Sequence, residues 1–164
     1  GQGDQAESEG ELACTSISQF APASDFVGFV FSFQDSSNFY VVYSAKESNV
    51  AAQGPWRIVR VASETGPSTD LNSALWQPDS VEGQTKVLWR DPGNHGWKSK
   101  VPFQYFLKHR PINGTINLKI FEGSLELFDT SIIDHGLAGG RVGIFCYSQP
   151  REIWSSMSYE CKQE

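Results

Sequence analysis

The stretch GGRVGIFCYSQ, residues 139–149, indicates the fold more clearly than any other part of the chain. Two glycines mark a turn, and the β-branched and aromatic residues that follow carry apolar side chains on both alternating faces. This pattern predicts a strand in the centre of a sheet, covered on both sides. Because proline cannot continue a ladder, Pro150 should end that strand, and the run from Ile153 to Cys161 predicts a half-buried strand that closes the sheet.

The rest of the chain consists of short strand-like runs separated by turn residues, with almost no helical period. Hairpin turns are predicted at residues 35–37, at Asn113–Gly114 as a two-residue primed turn, and at Gly123. Strands are predicted at 12–20, 26–33, 38–44, 56–62, 103–108, 115–122, 124–129, 142–147 and 153–161, with a short one at 87–90. So many strands without an internal repeat predict an all-β fold, a two-sheet β-sandwich of the jelly-roll type.

Two segments are too long for hairpin loops, residues 63–86 and 91–102. In the 63–86 loop we predict one short helix, which begins at Ser68 or Thr69. Around the second segment, Trp89 and Trp97 bracket a polar turn. We expect both indoles to fold this loop back onto the sandwich and to bury its apolar half.

The chain has 164 residues, which is enough for one domain with its own core. We expect a disordered polar tail at residues 1–11 and a β-sandwich domain at 12–164. Its 13 lysines and arginines against 19 acidic residues argue against a nucleic-acid partner and against docking on anionic membranes. The longest apolar run, 26–33, is too short to cross a bilayer, so we expect no membrane insertion.

The three cysteines, Cys14, Cys146 and Cys161, fit one disulfide plus one buried thiol. Cys146 lies mid-strand among apolar residues, which suits a free, inert thiol, whereas Cys14 and Cys161 lie near the two ends of the fold, where a disulfide would close a long loop. A Cys14–Cys161 disulfide is therefore the leading prediction. The alternatives are a Cys146–Cys161 disulfide between neighbouring strands and three free thiols in a reducing compartment.

No arrangement of residues predicts catalysis. The sequence holds no nucleophile elbow, no phosphate-binding glycine loop and no paired zinc histidines, and its three histidines are isolated. Glu122 and Glu126 come nearest to a glycosidase pair, but Gly123 between them predicts a hairpin turn that leaves both at solvated strand ends. We therefore expect that the chain is not an enzyme.

Calcium is a weaker prediction, because this ion takes oxygen ligands from loop carboxylates, amides and carbonyls and leaves little trace in a sequence. Asp25, Asp35 and Asn38 flank the second and third predicted strands, so one rim of the sandwich could gather them into a calcium site. The same residue types are common in turns, and a turn-forming role is favoured.

Asn113-Gly114-Thr115 is an N-glycosylation sequon at a predicted hairpin tip, the kind of exposed site that the modification requires. It is also an ordinary Asn-Gly turn sequence. As a glycosylation site, Asn113 matters only in a chain that enters a eukaryotic secretory pathway.

Several blocks of sequence, taken in order, carry a family resemblance: DFVGFVFSFQDSSNFYVV (25–42), TGPSTDLNSALW (65–76), VLWRDPGNHGWK (87–98), HRP (109–111), FEG (121–123), GGRVGIFCYSQ (139–149) and YEC (159–161). With these blocks the chain from Asp25 to Cys161 resembles the C-terminal, L-type-lectin-like domain of the thrombospondins. The resemblance implies a curved β-sandwich of the concanavalin type that is secreted, extracellular and without enzymatic activity.

The same resemblance implies partners among extracellular matrix and cell-surface proteins, and calcium as a cofactor. Cys14 and Cys161 resemble the family's terminal disulfide. The receptor-binding peptides proposed in the family correspond to residues 38–45 and 116–123, which are predicted strands and should be largely buried.

We therefore predict an extracellular, non-catalytic recognition module that binds its partners through a sheet face or the long loops. The alternative is a carbohydrate-binding lectin that holds glycans on its concave sheet. Its candidate aromatic platforms include the five tryptophans, although core packing explains their positions equally well.

Overall fold

The computed structural model describes the backbone of residues 8–20, 26–46, 54–62, 85–98, 100–146 and 151–163, and the side chains of 26–46, 54–62, 85–98 and 100–144. The strands are β1 (Ser8–Phe20), β2 (Val27–Asp35), β3 (Asn38–Ser44), β4 (Trp56–Ala62), β5 (Thr85–Arg90), β6 (Pro102–Arg110), β7 (Thr115–Glu122), β8 (Leu125–Ile133), β9 (Arg141–Cys146) and β10 (Arg151–Gln163). Within these residues, no helix is long and apolar enough to span a membrane.

These strands form two five-stranded sheets. The first sheet has the order β10-β1-β6-β7-β8, and the second has the order β5-β4-β3-β2-β9. Neighbouring strands are antiparallel throughout. Side chains from both sheets meet in one core, as in sandwich folds generally. The predicted all-β sandwich is therefore confirmed.

Each predicted strand has a counterpart, with small differences in its bounds. Strand β1 begins at Ser8, so residues 8–11, which were predicted as tail, belong to a strand. Strand β5 begins at Thr85, inside the predicted long loop. The helix predicted in that loop lies within residues 63–84, outside the described residues.

Two of the three predicted hairpin turns are confirmed. Asp35 pairs with Asn38 across a two-residue turn, and Glu122 pairs with Leu125 across Gly123 and Ser124. The primed turn at Asn113–Gly114 is wrong. Residues 111–114 form a four-residue loop closed by the Gly114 N–H donating to the Pro111 carbonyl at 3.2 Å, and Gly114 has φ 74° whereas Asn113 does not have a positive φ.

The central position predicted for the strand within residues 139–149 is also wrong. Among the described residues, strand β9 pairs with β2 alone and lies at one edge of the second sheet, and its Ile144 is 51% exposed. Strand β10 lies at one edge of the first sheet, so the two closing strands do not complete the same sheet. Apolar residues on both faces of a strand indicate that each face packs against other side chains. They do not indicate how many strands lie beside it in the sheet.

The core between the sheets forms because inward and outward residues alternate along the strands. Strand β6 alternates exposed and buried residues from end to end, as expected for a strand with one face toward a core and the other toward water. The largest buried side chains of this core come from both sheets and from the β5–β6 connection: Phe29, Phe31, Tyr40, Trp56, Trp97, Phe103 and Tyr105. Their burial fixes the inward faces of the strands and thereby leaves the alternate residues of the first sheet outside.

A second apolar cluster lies on the opposite face of the second sheet. Its buried members are Phe26, Phe39, Val41, Tyr43, Ala45, Val59 and Val61. Strand β3 supplies residues to both clusters and is buried at six of its seven positions. The strand that is central and covered on both sides is therefore β3. This burial confirms the prediction that residues 38–45 are largely inaccessible.

The loop bracketed by two tryptophans folds as predicted. Trp97 is 1% exposed and forms a parallel bridge with Lys46, whose ammonium lies 5.4 Å from the centre of the indole. Trp89 is partly buried and meets Phe128 edge to face at 5.1 Å. Both indoles thus anchor the β5–β6 connection to the core.

Candidate functional site

The outward side of the first sheet is in contact with solvent along the described strands β6, β7 and β8. On β6 and β7 the inward residues are buried, whereas the outward residues are exposed or half-buried. We define the open face by nine outward residues of β6, β7 and β8: Gln104, Phe106, Lys108, Arg110, Asn117, Lys119, Phe121, Asp129 and Ser131. Thr115 and Ile133 continue the same outward rows beyond its edge. The open face is the counterpart, on the first sheet, of the buried outer face of the second.

An aromatic pair lies at the middle of the open face. Phe106 on β6 and Phe121 on β7 meet nearly perpendicularly, with ring centres 5.7 Å apart. Phe106 is 36% exposed although it is a large apolar residue. A shallow hollow of about 160 Å³ opens beside it, lined by Phe106, Leu107, Lys108, Asn117 and Lys119. An apolar centre with a polar rim is the usual composition of a protein recognition surface.

Polar side chains beside this pair are held in place by one another. The Asn117 amide nitrogen donates to Asp129 Oδ1 at 3.1 Å, to the Thr130 carbonyl at 3.1 Å and to Ser131 Oγ at 2.9 Å. Lys119 Nζ lies 3.9 Å from Asp129 Oδ2, with both side chains nearly half exposed. These contacts orient Asn117, Lys119 and Asp129 relative to one another. The prediction that residues 116–123 are largely buried is confirmed only in part: Ile116, Leu118 and Ile120 are buried, whereas the other five residues are half-buried or exposed.

A buried polar cluster lies at one end of the sandwich, and sequence reasoning missed it. Asp134 accepts hydrogen bonds from Tyr40 Oη at 2.5 Å, from Arg60 at 2.6 Å and from the Gly136 N–H at 3.1 Å. Burial alone would raise the pKa of Asp134, but these hydrogen bonds and the Arg60 charge lower it overall. Burial and the bond to Asp134 raise the pKa of Tyr40. No local pattern links residues so far apart in the chain, so the sequence carried no signal for this cluster.

His109 lies next to this cluster on the inward side of β6. Its Nδ1 is 2.9 Å from Ser32 Oγ, and its ring meets Phe31 and Tyr40 edge to face at 5.4 and 5.5 Å. Its Nε2 is buried with no hydrogen-bond partner among the described residues. Burial lowers the pKa of His109 to about 4, while the Asp134 charge raises it by a smaller amount. His109 is therefore a neutral histidine of the core.

Asp91 and His95 organise the turn between Trp89 and Trp97. Asp91 is 3% exposed and accepts hydrogen bonds from the Gly93 N–H at 2.7 Å and the His95 N–H at 3.0 Å. The Trp56 indole N–H donates to the His95 carbonyl at 2.5 Å. Every contact here closes the turn on itself or on the core, which indicates a structural role.

The predicted calcium ligands do not form a calcium-like arrangement where they are described. Asp35 Oδ1 accepts the Ser37 N–H at 2.7 Å and the Asn38 amide nitrogen at 3.1 Å. Asn38 thus directs a donor at the carboxylate, whereas calcium needs converging oxygens. Asp25 lies outside the described residues, and the described residues contain no group of three or more His, Cys, Asp or Glu side chains suited to a metal. These contacts belong to an Asx turn.

The cysteines are described by their backbone only. Cys161 pairs with Gly10 on β1, whereas Cys14 pairs with Tyr105 on β6. Cys14 and the residue opposite Cys161 are thus separated along β1 by roughly 13 Å at the usual rise of a strand, and a disulfide needs Cα atoms within about 7 Å. Cys146 lies in the second sheet and Cys161 in the first, so they are not strand neighbours as the alternative pairing supposed. The Cys14–Cys161 disulfide stays a prediction, and it requires a different register from this one.

The other predicted residues are placed as follows. Asn113 is exposed at the β6–β7 loop, and its Oδ1 accepts the Thr115 N–H at 3.0 Å. Glu122 lies at the β7–β8 hairpin, where Lys98 Nζ contacts it at 2.9 Å. Trp56 and Trp97 are buried, so neither offers an exposed sugar platform.

Comparisons with known proteins agree with this fold. The family model described as "Thrombospondin C-terminal region" matches residues 11–163. Human cartilage oligomeric matrix protein is 40% identical, covering 84% of this chain and 19% of its own length. Bovine thrombospondin-4 is 41% identical, covering 84% of this chain and 15% of its own length. The chain therefore spans no more than a fifth of either relative.

One solved structure has a similar fold at low sequence identity. The carbohydrate-binding module CBM66 from Bacillus subtilis superposes with a TM-score of 0.57 and 11% identity, covering 93% of this chain and 75% of that one. This likeness concerns the fold alone. The match to the family model over nearly the whole chain, together with the identity to its members, decides the relationship. The chain belongs to the thrombospondin C-terminal region family.

Proposed function

We propose that the chain is a secreted, non-catalytic recognition module that binds extracellular matrix or cell-surface proteins through the open face. The family relationship supports a matrix-related module, because one relative is named for the cartilage matrix. The observation that carries the proposal is the aromatic pair of the exposed Phe106 and the half-buried Phe121, framed by polar side chains that hydrogen-bond to one another.

The composition of the open face favours a protein partner. Protein interfaces concentrate binding energy in aromatic residues near their centre, and polar residues at the rim exclude water from them. Phe106 and Phe121 fit the central role, and Lys119 with Asp129 fits the rim. A partner that covers Phe106 would bury apolar surface that the monomer leaves in water.

The lining of the hollow suits recognition. Its residues combine an apolar phenylalanine and leucine with two lysines and one amide, a composition that can meet apolar and polar groups of a partner. Glu122, one member of the nearest carboxylate pair, is engaged by Lys98 at a hairpin end.

Calcium enters the proposal only through the family, because Asp35 and Asn38 satisfy each other. Calorimetric titration with calcium, paired with thermal unfolding, tests whether this chain binds the ion. Heat of binding and a rise in unfolding temperature at millimolar calcium would support a site elsewhere in the chain, whereas no response would end the calcium proposal.

A decisive experiment compares Phe106→Ser with Ile144→Ser. Both remove an exposed apolar side chain, but Phe106 lies on the open face and Ile144 lies on the edge strand of the second sheet. Binding of the purified chain to matrix deposited by cultured cells is expected to weaken by about tenfold or more for Phe106→Ser, since a central aromatic residue is lost. Ile144→Ser should bind like the wild type.

Two other outcomes have definite meanings. Equal binding by both variants would refute the open face as the contact surface. Saturable binding to one defined sugar on a glycan array, abolished by Phe106→Ser, would instead support the alternative of a carbohydrate-binding lectin on the same face.

A further inference from the structure

An apolar patch lies at the end of the sandwich where the β6–β7 loop meets the end of β8. Ile112 in the loop is 59% exposed, and Ile133, the last residue of β8, is 71% exposed. Ile133 pairs across the sheet with Thr115, so the two isoleucines flank the same loop. Single exposed apolar residues are common on protein surfaces, but two near one loop offer apolar area that a neighbouring group can cover.

Asn113 lies close to both isoleucines along the backbone. Ile112 precedes it directly, and the strand partner of Ile133, Thr115, follows two residues later. Asn113 is exposed, and its Oδ1 accepts the Thr115 N–H at 3.0 Å. This bond orients the side chain through its oxygen and does not involve the amide nitrogen Nδ2, which is the atom that carries an N-linked glycan.

The loop beneath Asn113 is itself anchored. Gly114 is buried with φ 74°, a conformation that favours glycine, and its carbonyl accepts the Asp134 N–H at 2.8 Å. The loop that carries the sequon is therefore hydrogen-bonded to the residue that follows β8.

We propose that Asn113 carries an N-linked glycan whose first sugars cover the apolar patch of Ile112 and Ile133. This inference rests on the secretory location in the proposed function. The donor is an oligosaccharide linked to a lipid diphosphate. The bond from Nδ2 to the sugar C1 forms, the bond from C1 to the diphosphate oxygen breaks, Nδ2 loses one proton, and the lipid diphosphate leaves. The C–H faces of the attached sugars supply the apolar contact that the isoleucines lack.

The first experiment asks whether the glycan is present. The chain is expressed in a eukaryotic cell behind an added signal peptide, so that entry into the secretory pathway does not depend on the proposed location. The secreted chain is expected to carry the mass of one oligosaccharide, which a peptide N-glycosidase removes. Thr115→Ser keeps the sequon and should keep the glycan, whereas Asn113→Gln should lose it. An unmodified wild-type chain would overturn the proposal.

The second experiment asks whether the glycan covers the patch. Native deglycosylation converts Asn113 to aspartate and should raise the fluorescence of a hydrophobic dye bound to the folded chain. Asn113→Asp reproduces the product and should show the same rise. The double variant Ile112→Ser, Ile133→Ser should show no rise on deglycosylation. No change in the wild type, or an equal rise in the double variant, would refute the covering role. Matrix binding through Phe106 is measured separately, so the two proposals can fail independently.

Discussion

The two sheets differ most on their outer faces. The outer face of the second sheet is a buried apolar cluster that includes Phe39, Val41 and Tyr43, whereas the open face of the first sheet is polar around a single aromatic pair. Both sheets turn an aromatic and aliphatic face inward to the same core. The second sheet therefore contributes to stability through both of its faces, whereas the first sheet leaves part of its outer face in contact with solvent, where the proposed recognition surface lies.

The largest expected contrast comes from truncating one aromatic residue on each outer face. Tyr43 is fully buried and meets Phe26 edge to face at 4.9 Å, so Tyr43→Ala should lower the free energy of unfolding by about 3–5 kcal/mol. Phe106→Ala on the open face should cost about 1 kcal/mol, since Phe106 is already partly in water. Chemical denaturation measures both, and equal losses would contradict the division between the two faces.

A smaller effect on the free energy of unfolding tests how closely β2 and β3 approach each other in the second sheet. Gly28 in β2 pairs with Tyr43, and a Cβ on Gly28 would lie 1.9 Å from the Val42 carbonyl oxygen. Gly28→Ala should therefore cost about 3 kcal/mol, because the backbone of β3 must move. Gly143 on the edge strand β9 is the matched control, since the nearest atom to its added Cβ is Val30 Cγ2 at 3.5 Å.

The control variant Gly143→Ala should change the free energy of unfolding by less than about 1 kcal/mol. The comparison uses thermal or denaturant unfolding of both variants. A Gly143→Ala loss as large as that of Gly28→Ala would mean that the edge strand is packed as closely as the interior of the sheet.

The third prediction concerns the pH dependence of the free energy of unfolding, which we attribute to His109 between the two sheets. In the folded chain His109 stays neutral down to about pH 4, whereas in the unfolded chain it gains a proton near its ordinary pKa of 6.5. The unfolded state binds more protons between these values, so stability should fall as pH drops. The expected loss is about 2 kcal/mol between pH 7.5 and pH 5.

Denaturant titrations at several pH values check this loss. His109→Gln should flatten the pH dependence in that interval even if it destabilises the chain. His135→Gln, at an exposed position, should keep the slope of the wild type. A slope that survives His109→Gln would assign the effect to another group.

The alternation along β6 was sufficient to predict which residues point inward, because each strand position decides its own face. The position of β9 was not predictable in this way, since strand neighbours depend on the whole topology. From the sequence we predicted only that a sheet face or the long loops would bind a partner, without naming the residues. The aromatic pair of the open face required the register that sets Phe106 beside Lys119 and Gln104 beside Phe121. The Asp134 cluster joins residues 94 positions apart, which no local pattern reveals.

The Asp134 cluster sits where the chain leaves the first sheet, after β8, and travels to the second, at β9. Its carboxylate holds Tyr40 of β3 and Arg60 of β4, while its backbone N–H holds the β6–β7 loop through Gly114. The connection between β8 and β9 is thus hydrogen-bonded to elements of both sheets. Opening this connection would release contacts on both sides of the sandwich together, so the two sheets form one cooperative unit and should come apart in a single step.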